Sequence, residues 1–117
     1  MRRRPSPEPF LWLLFSTGGL VAALVIPVLL AVYGVAIPLE WVDAPDHQHV
    51  LTLVRNPLTK LALLGVCSLA LFHWAHRFRY TLVDGLQLRR YATGVAACCY
   101  GTAVVGSGVA AIVLLLA

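Results

Sequence analysis

The sequence predicts an all-α integral membrane protein, a single membrane-anchor domain of residues 1–117 with three transmembrane helices. Of its 117 residues, 60% are hydrophobic and only 12% are charged, whereas about a quarter of the residues in a soluble domain are charged. Two runs, 10–39 and 91–117, contain no Asp, Glu, Lys or Arg. Each exceeds the roughly 20 apolar residues that cross a bilayer as a helix. A third charge-free run, 61–75, needs its flanking residues to span.

Three spans are predicted, at about 10–37, about 58–80 and about 91–117. Glu8 and Pro9 suit the first turn of the first span, because a carboxylate favours the positive end of the helix dipole and proline there loses no hydrogen bond. The second span just reaches about 30 Å at roughly 1.5 Å per residue. Small residues at Thr102, Gly106 and Ala110 let another helix approach the third span closely. We therefore expect a bundle completed by helices of a second subunit.

The positive charges predict a cytoplasmic N-terminus and a C-terminus outside, because Lys and Arg concentrate in cytoplasmic segments. The arginines outside the first loop lie before the first span, at the end of the second or after it: Arg2, Arg3, Arg4, Arg77, Arg79, Arg89 and Arg90. Residues 40–57 form the outer loop, where Arg55, together with Lys60 just after the loop, is balanced by three carboxylates. A cytoplasmic turn is expected at Asp84-Gly85. The first run is too long for the core of a cleaved signal peptide.

The distribution of polar residues disfavours several functions. The five carboxylates all fall outside the spans, whereas a proton- or cation-coupled transporter usually needs an ionisable group within the membrane. No nucleophile–base set, phosphate loop or HExxH motif is present, so we expect a non-catalytic chain. No aromatic-basic repeat indicates nucleic-acid binding. Cys67, Cys98 and Cys99 are interpreted as packing residues, and His47 and His49 as solvated side chains, so no metal site is predicted.

One polar stripe remains, at the end of the second span. His73, His76, Arg77 and Tyr80 occur at i, i+3, i+4 and i+7, which is one face of a helix. Such a stripe is costly against lipid and should face protein, water or a polar ligand head. Together with Trp12, it offers hydrogen-bond donors at the membrane edge, as a quinone carbonyl requires.

Two other interpretations stay open on these residues. The histidines could satisfy buried partners while the arginines only set the orientation in the membrane. Alternatively, one histidine could ligate a haem iron. His73 and His76 project from one helix face and cannot supply both axial ligands, so haem ligation would require a partner chain.

Several motifs occur in a fixed order: Glu8-Pro9-x-x-Trp12-x-x-Phe15-x-x-Gly18-Gly19, then Pro27 and Pro38, then His76-Arg77 followed by Asp84. In this combination the chain resembles, nearly end to end, the D-type hydrophobic anchor subunit of fumarate reductase (quinol:fumarate reductase). The resemblance implies a four-subunit complex in the bacterial inner (plasma) membrane. Its partners are a C-type second anchor, an iron–sulfur subunit and a flavoprotein. FAD and the iron–sulfur clusters belong to these partners, and no haem is expected.

The resemblance also implies a shared menaquinone/menaquinol site. In the family, the residues matching Trp12 and Arg77 are associated with a quinone pocket near the iron–sulfur subunit, and the one matching His76 with quinone reactivity. We therefore predict that Trp12, Phe15, His76 and Arg77 bind quinone. The predicted electron path runs from quinol through iron–sulfur clusters and flavin to fumarate, with this chain supplying geometry and hydrogen bonds.

The chain departs from the family pattern at two places. Leu53, Arg55 and Asn56 stand where the family has an aromatic, an amide and a hydroxyl residue near a distal quinone site. Arg79-Tyr80 replaces a histidine that follows the His-Arg motif. The alternatives are an anchor of a succinate dehydrogenase, which runs the same chemistry in the opposite direction, and a small structural membrane protein without a redox partner.

Overall fold

The computed structural model describes residues 6–117, a stretch made of helices and turns without any strand. The elements in chain order are α1 (Glu8–Ala31), a π-helical segment (Val32–Ala36), α2 (His47–Arg55), α3 (Pro57–Gly85), a 3₁₀ turn (Arg89–Tyr91) and α4 (Ala92–Leu116). The predicted fold class is confirmed, because three helical stretches are long and apolar enough to cross a membrane: Glu8–Ala36, Pro57–Gly85 and Arg89–Leu116. Arg2, Arg3 and Arg4, which contribute to the predicted orientation, lie outside the described residues.

The start of α3 follows from its local sequence. The side-chain Oδ1 of Asn56 accepts a hydrogen bond from the backbone N–H of Leu58 at 2.9 Å. Pro57, the first helical residue, has no N–H that would need a partner. An N-cap side chain followed by proline is a strong helix start, and it fixes where the second span begins.

The end of α3 lies beyond the predicted end near residue 80. The helix includes Asp84-Gly85, where the sequence predicts a turn, and the chain reverses instead at Gln87, which has a left-handed φ of 53°. Residues 80–85 contain no proline, and the Thr81 hydroxyl bonds back to the carbonyl of the preceding turn. Nothing local therefore interrupts the helix before Gly85, its last residue.

The loop between the first two spans contains a helix that the sequence patterns do not predict. Residues 40–57 are expected to be irregular, yet α2 occupies much of this segment and packs on α3. Its partly buried side chains are Val50, Leu51 and Val54. These residues are three and four apart, which is the spacing of an apolar helix face.

Helix α3 is the centre of the molecule, since α1 and α4 each pack against it and make no extensive contact with one another in residues 6–117. Between α3 and α4, Ala75 and Ala103 are completely buried and Cys99 is 4% exposed. A Cβ atom on Gly106 would lie 3.0 Å from the Cδ1 of Leu71. Small residues thus bring these two helices close together, whereas Thr102 of the predicted small-residue row is exposed.

The close approach of α1 to α3 depends on two glycines. A Cβ atom on Gly18 would lie 2.7 Å from the backbone oxygen of Leu69, closer than real contacts allow. A Cβ on Gly19 would lie 2.5 Å from the Cε1 of His73. These glycines hold the backbone of α1 against α3, and a cleft between α1 and α4 lies at the same end of the bundle.

Candidate functional site: an aromatic, basic cavity at one end of the bundle

A cavity of about 660 Å³ lies between α1, α3 and α4, near the start of α1 and the end of α3. Its size falls within the range of roughly 300–1,000 Å³ that is typical of small-molecule sites. The lining is apolar and aromatic with a few polar side chains: Glu8, Leu11, Trp12, Leu14, Phe15, Ser68, Leu69, Phe72, His73, His76, Arg79 and Tyr100. Three of the four residues predicted to bind quinone, Trp12, Phe15 and His76, are therefore brought together.

His73 is fixed by contacts with α1. Its Nδ1 lies 3.0 Å from the backbone oxygen of Phe15, and its ring stacks on the Phe15 ring with centroids 4.5 Å apart and planes 16° apart. A carbonyl oxygen can only accept, so Nδ1 carries the proton and donates. The absence of a side chain on Gly19 leaves the space that this imidazole occupies. In the neutral ring, Nε2 is then a hydrogen-bond acceptor.

His76 joins α3 to α4 on the same side of the cavity. Its Nδ1 lies 2.7 Å from the hydroxyl oxygen of Tyr100. The Phe15 ring is tilted against it at 4.6 Å, and the Tyr80 ring meets it edge to face at 5.2 Å. Phe15 therefore contacts both histidines, and the two imidazoles are held on the cavity wall by partners from different helices.

Arg79, which the sequence does not single out, is the arginine of the cavity. Its guanidinium carbon lies 4.4 Å from the centre of the Tyr80 ring and 5.5 Å from that of the Tyr100 ring, both within the reach of a cation–π contact. Arg79 is partly buried, whereas Arg77 is exposed and does not line the cavity. The positive charge on the cavity wall is therefore that of Arg79, two residues further along α3 than Arg77, the arginine of the predicted stripe.

Tyr100 is the second residue that sequence reasoning missed. It lies in the third span among small apolar residues, and no motif links it to His76. The sequence contains a weak indication that Arg79 lies near the site, because Arg79 is three residues from His76 and therefore on a neighbouring part of the helix surface. Only the packing of α4 on α3 reveals that the Tyr100 hydroxyl belongs to the cavity.

The arrangement can hold a flat ring with polar groups at its edge. Phe15, Phe72 and Trp12 supply flat apolar surfaces, and the two imidazoles and the guanidinium of Arg79 supply polar contacts. These donors lie within helices that are apolar enough to span a membrane. The fold and the site define a class, that of three-span α-helical membrane proteins with an aromatic, basic cavity at one end of the bundle.

Comparison with known sequences gives the family. The family of fumarate reductase D subunits matches residues 2–116, and the chain belongs to this family. The fumarate reductase D subunit of Mycobacterium tuberculosis (strain ATCC 25618 / H37Rv) is 61% identical over 113 residues, covering 97% of this chain and 90% of that protein. The corresponding D subunit of Vibrio cholerae is 30% identical over 115 residues, covering 95% of this chain and 85% of that protein.

Family membership confirms the resemblance that the motif order predicts. It supports a membrane-anchor subunit of a fumarate reductase complex, and hence a subunit of an oxidoreductase assembly with further subunits. The family also implies interaction with quinone. The residues of the cavity fit such a group, because a quinone has a flat ring, two carbonyl acceptors and an apolar tail.

Proposed function

We propose that this chain helps to bind and oxidise menaquinol in a fumarate reductase complex, with the quinone ring in the cavity between α1, α3 and α4. The observation that carries the proposal is the pair of histidines on the cavity wall beside Phe15. Bound quinol would supply two electrons, which the iron–sulfur and flavin centres of the partner subunits accept, and two protons, which are released. Its residues bind the ring, orient it and exclude water.

The proposed roles follow from chemistry and position. Phe15 packs against the ring face, because it already stacks with one imidazole and contacts the other. The Trp12 indole N–H donates a hydrogen bond at the cavity mouth. His76 donates to one oxygen of the ring, and the Arg79 guanidinium favours negative charge there. Arg77, which is exposed on α3, contributes its positive charge at the rim of the cavity, where another subunit completes the cavity wall.

The proposed assembly has a C-type anchor against the exposed faces of the bundle and the iron–sulfur and flavoprotein subunits at the end that holds the cavity. Large side chains such as Leu24 and Val105 are 62% and 66% exposed in the isolated chain. They require lipid or another subunit as cover. Arginines cluster at the cavity end, at Arg77, Arg79, Arg89 and Arg90, so we propose that this end is cytoplasmic.

The test of this proposal is purification of the tagged full-length chain in mild detergent. The expected preparation carries flavin and iron–sulfur absorption and oxidises a menaquinol analogue with fumarate as acceptor. A chain that is isolated alone, without either chromophore, would favour the structural membrane protein instead. Artificial electron donors that bypass quinol then separate defects in the cavity from defects in the catalytic subunits.

A further inference from the structure

Tyr100 lines the cavity, and neither the motifs nor the family assignment provides a role for it. Its hydroxyl oxygen lies 2.7 Å from Nδ1 of His76, and this is its only hydrogen bond within residues 6–117. The guanidinium of Arg79 over the Tyr100 ring helps to hold the phenol in place. Tyr100 of α4 thus contacts one particular ring nitrogen in α3, the Nδ1 of His76.

The direction of this hydrogen bond follows from what each partner can do. A phenol O–H is a stronger hydrogen-bond donor than the N–H of a neutral imidazole, because the phenol is the stronger acid, and an unprotonated ring nitrogen is a stronger acceptor than a phenol oxygen. The O–H of Tyr100 therefore donates to the ring of His76. Nδ1 of His76 is then the acceptor, and the proton of the neutral imidazole resides on Nε2.

The neighbouring histidine has the opposite arrangement. His73 donates from Nδ1 to the Phe15 carbonyl, so its Nε2 carries a lone pair. The two imidazoles, one turn apart on α3, thereby differ in tautomer because their partners differ: a carbonyl that can only accept, and a phenol that donates. The cavity wall therefore combines one ring that accepts at Nε2 with one that donates there.

We propose that Tyr100 is a positioning residue that holds His76 in the Nε2–H tautomer, so that His76 presents a hydrogen-bond donor to the carbonyl of a quinone. This inference rests on the proposed function for its ligand, and for the tautomer on the 2.7 Å contact and the relative donor strengths of the two groups. Tyr100 acts through His76 and does not itself contact the ring. His73, with its lone pair at Nε2, complements the hydroxyl of the reduced form.

The tautomer is measured directly by ¹⁵N NMR of histidine side chains in the labelled full-length chain within its complex. The His76 signals are those that disappear in His76→Gln. We expect the proton on Nε2 in the unaltered chain and a mixture of tautomers in Tyr100→Phe, with His73 unchanged in both. A proton on Nδ1 of His76 in the unaltered chain, or the same tautomer in both chains, overturns the proposal.

The consequence for the ligand is measured with the same variant in the assembled complex. Tyr100→Phe removes only the hydroxyl, and we expect kcat/KM for a menaquinol analogue to fall about tenfold, the scale of one hydrogen bond. Fumarate reduction by an artificial donor is expected to stay unchanged. Tyr91→Phe, at a tyrosine that is 61% exposed and outside the cavity, is the matched control.

The NMR and kinetic measurements distinguish failure of the positioning role of Tyr100 from failure of the proposed function. If the unaltered complex oxidises quinol and Tyr100→Phe does so equally well, the positioning role is wrong. If the unaltered complex does not oxidise quinol at all, the proposed function fails. The NMR comparison then still decides the tautomer, because it requires no ligand.

Discussion

The Nδ1 atom of His73 lies 3.0 Å from the backbone oxygen of Phe15, and the two rings stack with centroids 4.5 Å apart. One residue of α1 therefore binds the imidazole both through its main chain and through its side chain. This double contact requires the two helices to lie very close, and it is possible because Gly18 and Gly19 have no side chains. The functional geometry of the cavity thus depends on helix packing.

Gly19→Ala should disturb the cavity while largely preserving the helices. The new Cβ would lie 2.5 Å from the Cε1 of His73, so the imidazole must move and its stacking on Phe15 is lost. Overpacking of this kind costs about 1–3 kcal/mol. We expect loss of quinol oxidation with retained fumarate reduction by artificial donors.

Gly34→Ala is the matched control, because nothing lies within 4 Å of the added atom. It should leave both activities at the unaltered level. Equal losses in Gly19→Ala and Gly34→Ala would show that the first span responds to any added side chain, and the role of the His73 contact would be refuted.

The two tryptophans near the ends of the first span provide a second comparison. Trp12, at the cavity, and Trp41, beyond the other end of the span, are 71% and 72% exposed. Phenylalanine keeps most of the apolar area and removes the indole N–H. We expect Trp12→Phe to raise KM for the quinol analogue several-fold, on the scale of about 1 kcal/mol for one hydrogen bond, and Trp41→Phe to have no effect. The reverse order would locate the ring at the opposite end.

Substitutions of Arg77 and Arg79 test the sequence prediction against the structure, because the sequence predicts quinone binding by Arg77 whereas Arg79 lines the cavity. Arg79→Leu removes the guanidinium from the cavity wall, whereas Arg77→Leu changes an exposed side chain. Both variants should impair quinol oxidation while sparing artificial donors, with the larger loss in Arg79→Leu. Steady-state kinetics of both variants at matched complex content decides the order. A larger loss in Arg77→Leu would show that the quinone head lies outside this cavity.

Much of this architecture follows from simple sequence features. Two long charge-free runs predict the first and third spans, and a shorter run with its flanking residues predicts the second. The cost of polar groups in lipid predicts that the end of α3 faces protein, water or a ligand. The sequence could not show that Arg79, and not Arg77, lines the cavity, because α3 is packed on two sides by α1 and α4 and so has no single apolar face. The position of Tyr100 in the cavity could not be predicted for a related reason, since it depends on how α4 is rotated against α3.

The helix in the loop between the first two spans was not predicted, although the sequence contains a pattern that indicates it. Val50, Leu51 and Val54 have helical spacing, and Asp46 precedes the helix at the N-cap position. Pro45 and the nearby charged residues favour an irregular loop instead. Short amphipathic helices between spans are easily obscured in this way, because their stability comes from packing, here on α3, more than from their own propensity.

The packing of α4 on α3 yields a prediction about stability. Ala103 is completely buried against α3, whereas the adjacent Val104 is 59% exposed. Ala103→Leu should push the helices apart and destabilise the fold by about 1–3 kcal/mol, with separation of the Tyr100 hydroxyl from His76. Val104→Leu should be neutral. Thermal unfolding of the two variants in the same detergent makes the comparison, and equal midpoints would contradict the observed interface.

The most direct test of the central claim, that the cavity binds the quinone ring, is photolabelling of the intact complex with an azido-menaquinone analogue. Mass spectrometry of the labelled peptides should place the adduct on segments that contain Phe15 or His76, and excess unlabelled menaquinone should abolish it. An adduct confined to residues 40–57, or one that excess menaquinone leaves unchanged, would contradict the account.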